Sequence, residues 1–238
     1  MRFPSVTGSI ILVHGFWGGA AHWAKVIPEL EKHGWGVNNL HAVELPLTSL
    51  SDDAARLTQA IGQAKEPVWL VGHSYGGAVI TEAGNNDKVK GLVYIAGWAP
   101  DSGESLAQLS GRYPPEAAAN IAPDSDGYLW ITPEKYRESF CQDLGEQESF
   151  VMAVTQKAPV ASTFGDNITD AAWRHKDSWY QVSTEDRMIN PELEKIMAER
   201  MDAKAILKLD SSHASLASHP REVSRLILSA VAGGRHGH

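Results

Sequence analysis

Val68-Trp69-Leu70-Val71-Gly72-His73-Ser74-Tyr75-Gly76-Gly77-Ala78-Val79-Ile80 is the stretch on which the fold turns. Its first four residues are apolar at consecutive positions, as a strand covered on both faces requires. The break that follows carries Gly-x-Ser-x-Gly. The bare pattern is weak, since a chain with 21 glycines produces it by chance. Its weight comes from position, with a strand before it and a helical run after it. On so sharp a turn, side chains two residues either side of the serine would collide. Gly72 and Gly76 remove those side chains, so Ser74 projects above the sheet.

Outward from this turn, β-rich runs at residues 10–13, 37–43, 68–71, 92–95, 180–182 and 205–209 alternate with amphipathic stretches. Those stretches cover residues 20–33, 50–63, 75–85, 191–201 and 220–232, and Pro191 and Pro220 stand at first helical positions. The alternation predicts an α/β fold, a mostly parallel central sheet of about six strands flanked by helices. One interval breaks the rhythm. Residues 101–177 exceed what one crossover helix needs, and they hold Pro114-Pro115, an Asp-Ser-Asp-Gly turn at 124–127 and helix-like runs at 133–144 and 146–155. The expected division is a core of 1–100 and 178–238 interrupted by a helical cap at 101–177. Such a cap would cover the carboxyl edge of the sheet, where open α/β sheets bind ligands. An added structural layer is the plainer alternative.

Composition narrows the function classes. With 238 residues, 43% hydrophobic and 21% charged, the chain can bury a large core and is not disordered. A net charge of -8 and the lack of a Lys/Arg cluster argue against nucleic acid as a partner. The single cysteine, Cys141, forms no internal disulfide and leaves no Cys/His spacing for zinc. Met1-Arg2-Phe3-Pro4 opens no signal-peptide apolar region, and no apolar run reaches about 18 residues. The expectation is a soluble cytoplasmic protein with no membrane partner.

A serine hydroxyl is a poor nucleophile at neutral pH and needs a base and a group to orient that base. Among ten histidines, His213 lies just after the last strand run, at the carboxyl end from which a base can reach Ser74. His73 adjoins Ser74 but points elsewhere on a tight turn, so it is read as structural. Asp186 occupies the matching place one strand earlier, and the order Ser74, Asp186, His213 is the one this elbow uses. Glu185, Asp101 and Glu104 compete for the acid's role; Asp210 is too close to His213 along the chain. An oxyanion hole needs backbone N–H donors. Tyr75 supplies one candidate, and Phe16 in His14-Gly15-Phe16-Trp17-Gly18-Gly19 supplies the other. His14 is read as fixing this loop by a hydrogen bond rather than binding metal with His22. The His236-Gly237-His238 tail is read as frayed. No metal site is assigned.

Taken together, His14-Gly15, Gly18-Gly19, Gly72-x-Ser74-x-Gly76-Gly77, Asp186 and His213 resemble the α/β-hydrolase superfamily along nearly the whole chain. The compact His-Gly-x-x-x-Gly-Ala-x-x-Trp element ending at Trp23 is similar to the branch of small methylesterases, hydroxynitrile lyases and bacterial carboxylesterase relatives. The resemblance implies an enzyme without cofactors, with a Ser–His–Asp triad under a helical cap. Hydroxynitrile lyases of that branch typically carry Thr in place of Gly15 and Lys in place of Ala214, so the departure points to ester hydrolysis. Phe16 also replaces a usually small residue.

The substrate signal is aromatic. Of eight tryptophans, Trp23, Trp35, Trp69 and Trp179 fall on core elements, while Trp17, Trp98, Trp130 and Trp173 fall near the expected pocket. Tyr128, Phe140 and Phe150 also lie in the insertion. Gly15, Trp17, Trp98, Trp130 and Trp173 form the expected substrate-binding set, for a small hydrophobic carboxylic ester. Carbon–carbon bond cleavage on the same fold and a non-catalytic ligand sensor are the competing functions. A homodimer formed through a cap helix stays open.

Overall fold

A computed structural model describes residues 6–235; Met1-Arg2-Phe3-Pro4 and His236-Gly237-His238 lie outside the described residues. The strands are β1 (Ser9–Val13), β2 (Leu40–Val43), β3 (Val68–Ser74), β4 (Val89–Gly97), β5 (Ile121–Pro123), β6 (Leu129–Ile131), β7 (Asp177–Ser183) and β8 (Ile206–Leu209). Six of them form one sheet in the order β2-β1-β3-β4-β7-β8, with every pair parallel. The consecutive apolar residues of β1 and β3 are buried throughout, because helices cover both faces of the sheet centre. In register, Val13 sits opposite Gly72 and Ser74 opposite Gly97, so three strands end together at one edge.

The helices are α1 (Val26–Glu31), α2 (Leu50–Gln63), α3 (Tyr75–Ala83), α4 (Leu106–Arg112), α5 (Tyr136–Phe140), α6 (Glu146–Val154), α7 (Pro191–Arg200), α8 (Ser215–Ser218) and α9 (Pro220–Arg235). None is long and apolar enough to cross a membrane. Helix α2 packs on α3, and α1 on α9. Ser49 caps α2 by accepting the Asp52 N–H at 2.9 Å, and Asp52 and Asp53 in its first turn suit the helix dipole. Its buried stripe is Leu50, Asp53, Leu57 and Ile61, a helical spacing with one carboxylate in it.

Several local expectations change. The run at 37–43 is a strand only from Leu40, because residues 36–39 form a turn with Asn39 Oδ1 accepting the Gly36 N–H at 2.6 Å; Val37 is 96% exposed. The stretch at 20–33 divides into a 3-10 turn, Ala20–Trp23, and the short α1. The run at 133–144 likewise divides into a 3-10 turn, Pro133–Lys135, and α5. Helix α4 was not expected, although Ser105 and Gln108 form a reciprocal capping box that the sequence displays as Ser-x-x-Gln. Asp124 organises the turn at 124–127 by accepting the Asp126 and Tyr128 N–H groups, which closes the antiparallel β5–β6 hairpin.

Helix α3 starts at the residue after Ser74, so its first turn lies directly on the end of β1. A Cβ on Gly76 would sit 2.2 Å from the Val13 carbonyl oxygen, a backbone atom with no room to yield. Gly76→Ala is therefore expected to destabilise the protein by about 2–3 kcal/mol in urea unfolding, the range of an overpacked core. Gly62, near the end of α2, has open space around its Cβ position. Gly62→Ala should stabilise by about 0.5 kcal/mol through helix propensity. Equal effects at the two sites would contradict this packing.

Candidate active site

Ser74 has φ 55° and ψ -127°, a left-handed backbone that a non-glycine residue rarely adopts. Such a conformation costs on the order of 1–3 kcal/mol and persists only where its surroundings hold it. Here the surroundings are backbone. A Cβ on Gly72 would lie 2.5 Å from the Gly76 carbonyl oxygen, and the Ser74 carbonyl accepts the Trp98 N–H at 3.0 Å.

The structure brings Ser74, His213 and Asp186 into one buried chain. His213 Nε2 lies 2.7 Å from Ser74 Oγ, and His213 Nδ1 lies 2.8 Å from Asp186 Oδ2. A carboxylate only accepts, so Nδ1 carries the proton and Nε2 accepts from the serine hydroxyl. The other oxygen of Asp186 accepts the N–H groups of Met188 and Ile189 at 2.8 and 2.9 Å. The His213 loop is held from two directions. His73 Nε2–H donates to the His213 carbonyl at 2.7 Å, and Asp143 accepts the Ser212 N–H at 3.0 Å. Burial first, and His213 second, push the His73 imidazole well below its ordinary value, which suits a neutral structural donor. The Phe140 ring meets His213 edge-on at 4.9 Å. The competing acids are engaged elsewhere: Asp101 pairs with Arg174, Glu104 pairs with Arg200, Asp210 accepts from Thr184, and Glu185 is exposed.

The loop after β1 approaches the serine as closely as glycine permits. A Cβ on Gly15 would lie 2.6 Å from Ser74 Cβ and 3.0 Å from the Tyr75 nitrogen. His14 fixes this loop through Nδ1, 2.8 Å from the Gly15 carbonyl, and through Nε2, which accepts the Leu45 N–H at 2.9 Å. Both of its ring nitrogens are thereby occupied. Among the described residues no group of three or more His, Cys, Asp or Glu is arranged to hold a metal ion. The Trp17 N–H is donated to the Lys157 carbonyl at 3.0 Å and cannot serve an oxyanion, whereas the neighbouring Phe16 N–H has no such acceptor among the described residues. Trp17 itself has φ 62° and is sewn to the insertion: its indole N–H donates to the Leu129 carbonyl and its own carbonyl accepts the Tyr136 hydroxyl, each at 2.9 Å.

Ser74 opens into a cavity of about 280 Å³. Phe16, Trp17, Trp98 and Met188 line it from the sheet side, and Ser110, Gly111, Pro114, Pro115, Ala118, Ile121, Leu129 and Phe164 line it from the insertion. None of these side chains is charged. Of the expected binding residues, Trp17 and Trp98 face this cavity and three do not. Gly15 lies beneath Ser74. Trp130 is 37% exposed on the β5–β6 hairpin, its indole N–H given to Asp124 at 2.8 Å. Trp173 donates to the Pro100 carbonyl at 2.9 Å under the guanidinium groups of Arg174 and Arg200. Met188, Leu129 and Phe164 were missed, since no local pattern separates a lining apolar residue from a packed one. Two buried carboxyls were missed as well, although each had a sequence signal: Asp53 sits in the apolar stripe of α2, and Glu194 among the buried residues of α7.

The profile of the Alpha/beta hydrolase family matches residues 10–226, and the chain belongs to that family. Methylesterase 8 of Arabidopsis thaliana is 25% identical over 242 residues, covering 92% of this chain and 87% of the relative. A carbendazim hydrolyzing esterase of Nocardioides sp. is 33% identical over 125 residues, 48% of this chain and 52% of the relative. Among solved structures, a pyrethroid hydrolase from Sphingobium faniae superposes with a TM-score of 0.82 at 21% identity, over 98% of this chain and 100% of that one. That likeness establishes the shared fold.

Glu194 stands behind Asp186. Its Oε1 accepts the Ser183 N–H at 3.1 Å, its Oε2 meets no donor among the described residues, and the Asp186 carboxylate is near enough to act on it. Burial first, then the charge of Asp186, push the Glu194 carboxyl well above its ordinary 4.5. A carboxyl raised in the folded state contributes stability below its unfolded value and loses that contribution as pH rises through the folded value. Glu194→Gln removes this titration. The variant should match the wild type in thermal stability near about pH 4 and exceed it progressively toward about pH 8. A variant whose stability tracks the wild type across that range would mean that Glu194 is ionised.

Proposed function

We propose that this protein is a serine esterase that cleaves neutral hydrophobic carboxylic esters through an acyl-enzyme, with Ser74, His213 and Asp186 as its catalytic triad. The observation that carries this is the Ser74–His213–Asp186 chain at 2.7 and 2.8 Å, opening into a cavity lined by no charged side chain. In this mechanism His213 Nε2 takes the Ser74 proton as Oγ attacks the ester carbonyl carbon. The N–H groups of Phe16 and Tyr75 hold the resulting oxyanion. Asp186 keeps Nδ1 protonated and stabilises the imidazolium. His213 then returns the proton to the departing alcohol, and water activated by the same nitrogen releases the acid. The residues at 101–177 act as a cap in this scheme. Their lining of the cavity beside Ser74 supports that role, and the names of the methylesterase and carbendazim-esterase relatives support ester substrates.

Ser74→Ala should lower kcat on p-nitrophenyl esters by at least about 10³-fold with substrate binding retained, and Asp186→Asn by about 10³–10⁴-fold. Near-wild-type turnover in Ser74→Ala would remove the serine from the chemistry. The uncharged cavity makes a second prediction. A bulky neutral ester should exceed its carboxylate-bearing analogue in kcat/KM by about tenfold or more, because burying an unpaired carboxylate costs well above 1.4 kcal/mol. Equal values for the pair would contradict an apolar acyl site.

A further inference from the structure

The two N–H donors assigned to the oxyanion belong to residues whose side chains are joined to each other. The Phe16 and Tyr75 rings stack at 4.0 Å between centroids and 16° between planes, and both are buried. Phe164 of the insertion lies on Phe16 at 5.4 Å. From the other end, the Tyr75 hydroxyl donates to Asp53 Oδ2 at 2.5 Å. Asp53 Oδ1 accepts the Leu47 N–H at 2.8 Å, and Leu47 has a left-handed φ of 58° with its carbonyl accepting the Val160 N–H at 2.9 Å. Asp53 is fully buried in the otherwise apolar face of α2. A carboxylate there has no packing advantage over leucine, and desolvating it is costly unless both oxygens are satisfied.

We infer that Asp53 is a positioning residue: through the Tyr75 hydroxyl it sets the depth of the Tyr75 ring, and through the Phe16–Tyr75 stack it fixes both oxyanion-hole N–H groups relative to Ser74. This inference rests on the esterase reading. Phe16 stands in a loop outside any ladder, and Tyr75 is the first residue of α3, where a helix N–H has no intrahelical acceptor, so neither N–H is fixed by a ladder hydrogen bond of its own helix or loop. Preorganised donors act because they need no reorganisation as charge develops on the oxygen. A ring free to slide against its neighbour would weaken transition-state stabilisation while leaving ground-state binding in the cavity intact. Burial raises the Asp53 carboxyl to about 6 against the opposing donations from Tyr75 and Leu47, so at neutral pH it is a charged acceptor for the phenol.

Tyr75→Phe keeps the ring, the stack and the backbone N–H and removes only the link. Asp53→Asn retains it in reversed polarity, with Oδ1 accepting from Leu47 and the amide donating to the phenol oxygen. Asp53→Ala removes it entirely. Kinetics on a p-nitrophenyl ester are compared with inhibition by an aryl trifluoromethyl ketone. Ser74 Oγ adds to the ketone carbon, the serine proton passes to His213, and the carbonyl oxygen becomes the alkoxide that the hole binds. Thermal unfolding reports the fold of each variant. Tyr75→Phe should lower kcat about tenfold, less than the 10²–10³-fold lost with a whole donor, with KM within about twofold. Ketone inhibition should weaken by the same factor, and Asp53→Asn should stay within about threefold of wild type on both measures. The double variant Tyr75→Phe/Asp53→Ala should be no worse than its weaker parent, since both act through one link. Wild-type kcat and ketone inhibition in folded Tyr75→Phe would overturn the clamp alone, as would a loss confined to KM. A wild-type enzyme insensitive to the ketone would overturn the esterase reading and the clamp with it.

Discussion

At Ser74 three segments of backbone meet with no clearance. The end of β3, the first turn of α3 and the loop after β1 approach so closely that a Cβ on Gly72, Gly76 or Gly15 would fall within 2.6 Å of a neighbouring atom. That contact holds the left-handed backbone at Ser74, and the strain is offset by the fully buried strand before it and the buried first two turns of the helix after it. Lifting the serine side chain out of the sheet and bringing the loop after β1 against it follow from the same closeness. A looser turn would cost the site its geometry before it cost the protein its fold.

Buried charge is sorted by the donors each carboxyl can find. Asp186 is met by two backbone N–H groups and by His213 Nδ1. Glu194, its neighbour, is met by one backbone N–H and faces a negative charge. Burial and the facing carboxylate therefore raise the Glu194 carboxyl, while Asp186, with more donors, is the acid that meets the histidine. Asp53 is satisfied on both oxygens and lies between these cases.

The segment at 101–177 is tied to the loop after β1 rather than standing apart from it. Trp17 alone makes three hydrogen bonds to it, and Asp143 holds the loop that bears His213. The cavity wall, the loop bearing Phe16 and the loop bearing His213 are thus tied into one unit, and only two of the expected tryptophans face the cavity. The indole of Trp130 is satisfied at the surface and that of Trp173 beneath two arginines, where each finds a polar partner for its N–H.

The parallel sheet, the turn at Ser74 and the strand-end loops that carry Asp186 and His213 were legible in the sequence because local patterns mark them. Runs of apolar residues make buried strands, and glycines at fixed offsets make one kind of turn. Helix α4 was also written in its capping box, and Asp53 in the apolar stripe of α2, although neither was recognised. Local patterning thus carries the framework and the candidates Ser74, Asp186 and His213. Which of the candidate acids meets His213, which aromatics line the cavity and which carboxyls are buried together are settled by packing. Those outcomes depend on distances between segments far apart in the chain, and no residue's own neighbours carry that information.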